Sequence, residues 1–432
     1  MIFQEWFSVN EKGNLVMEGC DLTEIASEFK TPLFVYNETL MRERCRKYLK
    51  SLREIFTDGE IIYAGKSFII KEMCRLLKEE GLSLDVVSGG ELFTALAVDF
   101  PAEKIYFHGN NKTEEELEMA VKSGVGRIVV DSLDELELLD KVTAQTGISA
   151  NIYLRIKPGI SAHTHSYIQT GQADSKFGLG IDDGMAKEAV DKALKKEKIA
   201  LKGLHCHIGS QIFDVHEPFK LAARKMVALM KEIKEEYGCE LKELNLGGGL
   251  GIRYTAEDTP EDAAVFVKNL AEAVKAECEE NGINLERLSL EPGRSIAGEA
   301  GITLYTIGTI KKLDNIRTYV SVDGGMMDNL RPALYDAVYD GVLANRAGEE
   351  ADAVVTLAGK ACESGDILIK EMKVPMPHRD DIMAVFSTGS YHFSMYSNYN
   401  RNPRPAVVFL KEGAARLVVK KESYEDMVSL EI

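Results

Sequence analysis

The sequence is poor in cysteine and poorer in tryptophan, with seven of the first and one of the second in 432 residues. Cys20, Cys45, Cys74, Cys206, Cys239, Cys278 and Cys362 are scattered, odd in number and never spaced Cys-x-x-Cys. That pattern argues against a disulfide framework and a structural zinc site, and it suits a reducing, cytoplasmic compartment. Positive charge is scarce as well: 52 Lys and Arg stand against 69 Asp and Glu, a formal net charge of −17. With no basic stripe, neither nucleic acid nor an anionic membrane surface is expected as a partner. No apolar run reaches the length of a membrane span. The first residues, MIFQEWFSVNEKGN, have the pattern of neither a signal nor a transit peptide.

What is present is a regular alternation. Strand-like runs EIIYAG (60–65), SLDVVSG (83–89), KIYFHG (104–109), RIVVDS (127–132) and SANIYLRIKPG (149–159) recur roughly every 22 residues, with helix-like segments between them. In TEEELEMAVKSG (113–124), Thr113 suits an N-cap, acidic residues fill the first turn, and Gly124 is a stop signal. Wider spacing follows, with LKGLHCHIGS (201–210), KELNLGGGLG (242–251) and LERLSLEPGRS (285–295). Eight β-then-α units predict a (β/α)8 barrel of the TIM type, with a doubly wound sheet as the alternative. PLFVYN (32–37), ahead of the first of these, reads as a link from another part of the molecule. After residue 298 the runs ITLYTIGTIKKL, RTYVSVDG, AVVTLAG, DIMAVF and PAVVFLKEGAARLVV predict an antiparallel sheet or barrel, which FQEWFSV and LVMEG near the N-terminus are read as joining. The expected class is α/β plus all-β: a barrel over 34–297, and a β-rich domain from 1–33 and 298–432.

Active sites of such barrels sit where the strands end. Lys66 follows the first strand directly. Alone, it would be a solvated lysine opening a loop; its functional reading is an amine that forms a Schiff base with a carbonyl. Strand six runs into His205, His207, Ser210 and Gln211, strand seven into Gly247, Gly248 and Gly249, and strand eight into Glu291, Pro292, Gly293, Arg294 and Ser295. Two histidines without a third ligand at suitable spacing make a metal unexpected. A glycine-rich loop and an Arg/Ser loop occupy the two slots in which barrels commonly bind phosphate. A phosphate there, a lysine at strand one and an acid at Glu291 together suggest pyridoxal 5'-phosphate.

The order of motifs then resembles one family. YAGK (63–66), DVVSGGEL (85–92), FHGNNKTEEEL (107–117), HTHSYIQTGQADSKFG (163–178), HCHIGSQ, LGGGLG, EPGRS, VDGGMMDNLRPALYDA (322–337), CESGD (362–366) and TGSYHFSMYSNYN (388–400) are similar, over nearly the whole length, to those of the diaminopimelate decarboxylases of fold-type III. The resemblance implies removal of the D-centre carboxylate of meso-2,6-diaminopimelate, giving L-lysine and carbon dioxide, the last step of lysine biosynthesis. It implies Lys66 as the cofactor lysine, His207 stacked on the cofactor ring, and Ser210, Gly248, Gly249, Glu291, Gly293, Arg294 and Tyr391 as cofactor contacts. Arg294, Arg331, Tyr335, Glu363 and Tyr391 match substrate contacts, and Cys362 matches the proton donor. It also implies a homodimer whose active sites are shared. The motifs depart from the family at Ser67-Phe68 and at Lys360. Decarboxylases of other basic amino acids or of carboxynorspermidine share the fold, as do racemases, cofactor carriers and a catalytically silent regulator; the CESGD loop and the long β-region argue against the racemases and carriers.

Overall fold

A computed structural model describes residues 4–160 and 175–432. The chain divides into two compact units, one comprising Arg44–Gly251 and Pro260–Ser295, the other Met1–Glu43, Ile252–Thr259 and Ile296–Ile432.

The first unit is a closed barrel of eight parallel strands: β1 (Glu60–Ala64), β2 (Ser83–Val86), β3 (Ile105–Phe107), β4 (Arg127–Val130), β5 (Ala150–Lys157), β6 (Ile199–His205), β7 (Glu243–Asn245) and β8 (Arg287–Leu290). Each pairs with its successor, and Ser289 and Leu290 pair with Glu60 and Ile61 to close the ring. The strands are almost wholly buried, as parallel strands covered by helices must be. Ile62, Tyr106, Val129 and Tyr153 form a layer of the packed interior. Helix Glu114–Ser123 shows how locally the connecting segments are specified. Thr113 and Glu116 form a reciprocal capping box, and Gly124 ends the helix in the left-handed region at φ 74°.

Charged residues begin four barrel strands and close its N-terminal end. Arg127 donates to Glu243 through Nε and Nη2, at 2.9 and 2.7 Å, and Tyr153 donates to the same carboxylate at 2.8 Å. Arg287 lies 3.6 Å from Glu60 and 3.9 Å from Glu243, and Tyr106 donates to Glu60.

The second unit is β-rich, with a three-stranded sheet from residues 7–21 and a nine-stranded sheet. Its long central strand, Gly301–Leu313, pairs with Arg317–Val322, Leu33–Asn37 and Ile382–Val385. Two pairings are parallel, Arg317–Val322 with Ala353–Ala358 and Leu33–Asn37 with Ala406–Lys411, so the sheet is mixed where an antiparallel one was expected. The boundary at residue 34 also moves. Leu33–Asn37 is buried throughout and hydrogen-bonded on both edges by strands of the β-rich unit, so residues up to Glu43 belong there and not to the barrel. Among the described residues, no helix is long and apolar enough to cross a membrane.

Arg127→Met strands the half-buried Glu243 without its main cation. We expect the barrel to lose about 3 kcal/mol, seen as a lower urea midpoint with unchanged slope, and the double variant Arg127→Met/Glu243→Leu to recover most of it.

Candidate active site

The barrel strands end in a dense set of polar groups. Glu291 follows β8, and its buried carboxylate meets residues from three other strand ends. Asn245, the last residue of β7, donates its amide to Oε1 at 2.8 Å, and His205, the last of β6, places Nε2 3.1 Å from Oε2. His108, just beyond β3, brings Nε2 to 2.8 Å from Oε1. Burial opposes charge on Glu291, but His108 and His205 outweigh it and hold the carboxyl well below the usual range. Burial pushes His205 down to about 4, against the pull of Glu291. A neutral His205 whose one proton sits on Nε2 donates to an ionised Glu291, and that tautomer is assigned from this network. These two histidines and Glu291 are also the one metal-like grouping among the described residues, and their ligand atoms are turned on one another.

His207 plays a different part from His205. It lies past the strand, half-buried, and its Nδ1 accepts the Gly248 N–H at 3.4 Å. Burial, then the nearby Lys66 and Arg155, hold it well below the ordinary histidine value, so its ring is neutral. The glycine triplet is required by close approach. A β-carbon on Gly248 would overlap the Glu291 carbonyl, and Gly247 stands at φ 67°, where its β-carbon would fall 2.6 Å from the Cys206 carbonyl. Gly249 packs against Gly209, and Gly293 against Ala64 and Ser67. The loops after β1, β6, β7 and β8 are thus packed backbone to backbone. Arg294 reaches Ser210 through Nη2 at 2.9 Å, which joins the loops after β6 and β8.

Lys66 sits in the short 3-10 turn Gly65–Ser67 after β1, and its side chain is exposed. Its charge is felt by Asp85, Glu91 and His207. Asp85 is a buried carboxyl in β2; burial lifts it to about 6, His108 pulls it down and Glu291 raises it further. Arg155, in β5, lies over Phe177 at 4.3 Å and 3.5 Å from Asp131. Asp85, His108, Arg155 and Asn245 had no role assigned from sequence. Asp85 and His108 stand inside the DVVSGGEL and FHGNNKTEEEL motifs, so a signal was there, but nothing in the order of residues says which side chains face one carboxylate. Residues 163–174 of the motif HTHSYIQTGQADSKFG lie outside the described residues; its last four, Ser175 to Gly178, are described.

The second unit groups the other candidates. Arg331 is 8% exposed, and its Nε donates to the Tyr339 hydroxyl at 2.8 Å. Its guanidinium lies over the rings of Tyr335, Tyr391 and Tyr254 at 5.2, 5.5 and 5.8 Å. Among the described residues, no carboxylate pairs with it. Tyr391 holds the left-handed region at φ 64°, which is uncommon for a bulky residue and found where surrounding structure enforces it. Cys362 and Glu363 are exposed on a loop between strands Ala353–Ala358 and Ile367–Val374. Cys362 is the exposed one of seven free thiols; five are buried, and burial lifts Cys206 to about 12. It is therefore no core filler.

The barrel residues fit pyridoxal phosphate by the chemistry of their groups: an accessible amine, a neutral flat imidazole, an ionised buried acid, and an Arg/Ser pair beside glycines with no room for a side chain. Comparison with known proteins agrees. Residues 39–298 match the model of the pyridoxal-dependent decarboxylase, pyridoxal binding domain. The chain is 51% identical to a diaminopimelate decarboxylase of Bacillus methanolicus, over 98% of both chains, and 50% identical to that of Bacillus subtilis, over 98% of this chain and 96% of the relative. The crystal structure of diaminopimelate decarboxylase from M. jannaschii in co-complex with L-lysine superposes with a TM-score of 0.91 at 34% identity, over 100% of this chain and 99% of that one. The chain belongs to the pyridoxal-dependent decarboxylases and, within them, to the diaminopimelate decarboxylases, which are carboxy-lyases.

Proposed function

We propose that this chain removes the carboxylate from the D-centre of meso-2,6-diaminopimelate, releasing carbon dioxide and L-lysine, with pyridoxal 5'-phosphate as its cofactor. Lys66 would hold the cofactor's aldehyde carbon, His207 would lie against its ring, and Glu291 would face its ring nitrogen. Ser210, Gly248, Gly249, Gly293 and Arg294 would hold its phosphate end, with Tyr391 beside them. When bound, the cofactor supplies an electron sink for the charge left at the α-carbon. The low pKa of Glu291 keeps it ionised at neutral pH, as a partner for a protonated ring nitrogen must be. A neutral His207 puts no positive charge against the ring. Cys362 Sγ delivers the proton that replaces the lost carboxylate. The free thiols and this metabolic reaction suit a cytoplasmic setting.

The choice of substrate rests on one observation above the rest, the buried Arg331 guanidinium that has aromatic rings around it and, among the described residues, no carboxylate paired with it. A buried cation needs a counter-charge, and a planar guanidinium matches a carboxylate bidentately. Diaminopimelate has a second carboxylate at its far end, whereas a diamine-forming substrate such as ornithine has only an ammonium there. Arg294, Tyr335 and Tyr391 complete the proposed substrate contacts, and Glu363 serves the distal ammonium. The shared-site homodimer is proposed with this: Cys362 and Glu363 of one chain act with Lys66 of the other.

Three measurements follow. Purified protein should show a violet-region absorbance band bleached by borohydride; Lys66→Ala should lose that band and turnover while staying folded, and a reducible covalent adduct in the variant would rule Lys66 out. Arg331→Met should raise KM for meso-diaminopimelate about 10- to 100-fold, with a much smaller effect on any weak turnover of L-lysine; equal losses on both point to a structural role. Finally, Lys66→Ala and Cys362→Ala homodimers should each be nearly inactive, and mixing them under subunit exchange should restore activity, because one site of a mixed C2 dimer then carries neither lesion. Differentially tagged mixtures that exchange without recovery contradict the shared site.

A further inference from the structure

Cys362 is exposed, as are the three residues after it, so side-chain packing does not hold this loop. Its backbone is held instead at two adjacent amides. The Cys362 N–H donates to Asn400 Oδ1 at 2.7 Å, and the Ala361 N–H donates to Asp366 Oδ2 at 2.8 Å. The other oxygen of Asp366 accepts the Met326 N–H at 2.7 Å, which ties the loop to the segment leading into Arg331. Asp366 is 3% exposed, and a β-carbon on Gly325 or Gly359 would overlap its carboxylate. Asn400 stands in the left-handed region at φ 50°, a conformation that asparagine tolerates better than most residues.

We propose that Asn400 and Asp366 are positioning residues for Cys362, holding the two amides that aim its thiol at the carbon to be protonated. The proposal rests on the reading of Cys362 as proton donor. A cysteine side chain has one heavy-atom torsion with three staggered wells, so the direction of Cα–Cβ decides where sulfur stands. Proton delivery needs donor and acceptor within hydrogen-bond reach, and small misplacements are costly in rate. Fixing the 361 and 362 amides fixes that direction without crowding the thiol. Neither Asn400 nor Asp366 is assigned a contact with the reacting atoms.

The test uses Asn400, whose exposed position makes unfolding no concern. Asn400→Gly deletes the acceptor and keeps the left-handed backbone; Asn400→Asp keeps an acceptor and tolerates the same backbone. Asn400→Gly should lower kcat about tenfold with KM for meso-diaminopimelate little changed, and Asn400→Asp should restore most of kcat. In a Cys362→Ala background, Asn400→Gly should cost nothing more, since a residue acting through the thiol has no effect once the thiol is gone. Asp366→Asn, which turns an N–H toward one of its two donors, should lower kcat in the same manner. Wild-type kcat in Asn400→Gly, failure of Asn400→Asp to recover, or an undiminished Asn400→Gly loss without the thiol each overturns the positioning role. Full activity of Cys362→Ala is a separate result: it removes the donor reading and, with it, the purpose of the two side chains.

Discussion

The carboxylate of Glu291 is the interaction on which the barrel mouth depends. It stands at the end of the last strand and meets side chains from the ends of three others, Asn245, His205 and His108. A buried charge of this kind is tolerable only when several donors face it. The donors come from β6 and β7, which precede β8 around the ring, and from β3 on another part of it, so satisfying one charge also fixes where β3, β6, β7 and β8 end relative to one another. The same charge is held ionised by its neighbours, which is the property its proposed chemistry uses. Structural need and electronic function coincide in one group.

Around that carboxylate the backbone comes unusually close to itself. Gly248 lies against the Glu291 carbonyl, Gly249 against Gly209, and Gly293 against the turn that carries Lys66. Side chains at these points would push the loops apart and move Lys66, His207 and Arg294 away from one another. The glycines therefore act less through flexibility than through absence of volume. The opposite end of the barrel works otherwise: Arg127, Glu243, Arg287 and Glu60 form a charged ring at the strand starts, away from the strand ends that carry the site. Stability and chemistry are thus assigned to different ends of the same strands.

The β-rich unit meets a different demand. Its candidates are a buried cation among aromatic rings and an exposed thiol on a loop. Arg331 is fixed by packing and by Tyr339, whereas Cys362 is fixed through its backbone by Asn400 and Asp366. A group that must approach a substrate cannot be packed on all sides, and hydrogen bonds to the amides behind it are the remaining way to hold it.

Much of this was legible in the order of residues. Strand and helix alternation and the capping box at Thr113 are local signals, because their causes lie within a few residues of chain; the glycine triplet was visible too, although the close approaches that require it come from Cys206, Gly209 and Glu291. The residues that follow strands one, six, seven and eight were equally readable, since the fold places those ends at one mouth, but His108 after β3 and Asn245 at the end of β7 were not singled out. Three things were decided only in three dimensions. Leu33–Asn37 could have preceded a barrel or joined a sheet; its neighbours on both edges come from residues 301–313 and 406–411, and strand pairing at that distance leaves no mark in the strand itself. Of two histidines two residues apart, His205 serves Glu291 and His207 accepts an amide, a division set by which partners the closed ring brings near. Asp85, His108 and Arg155 likewise all stand in the field of Glu291, which lies far along the chain from each of them. Local propensity and spacing determine elements, but electrostatic partnership is a property of distances through space, and those exist only once the barrel has closed.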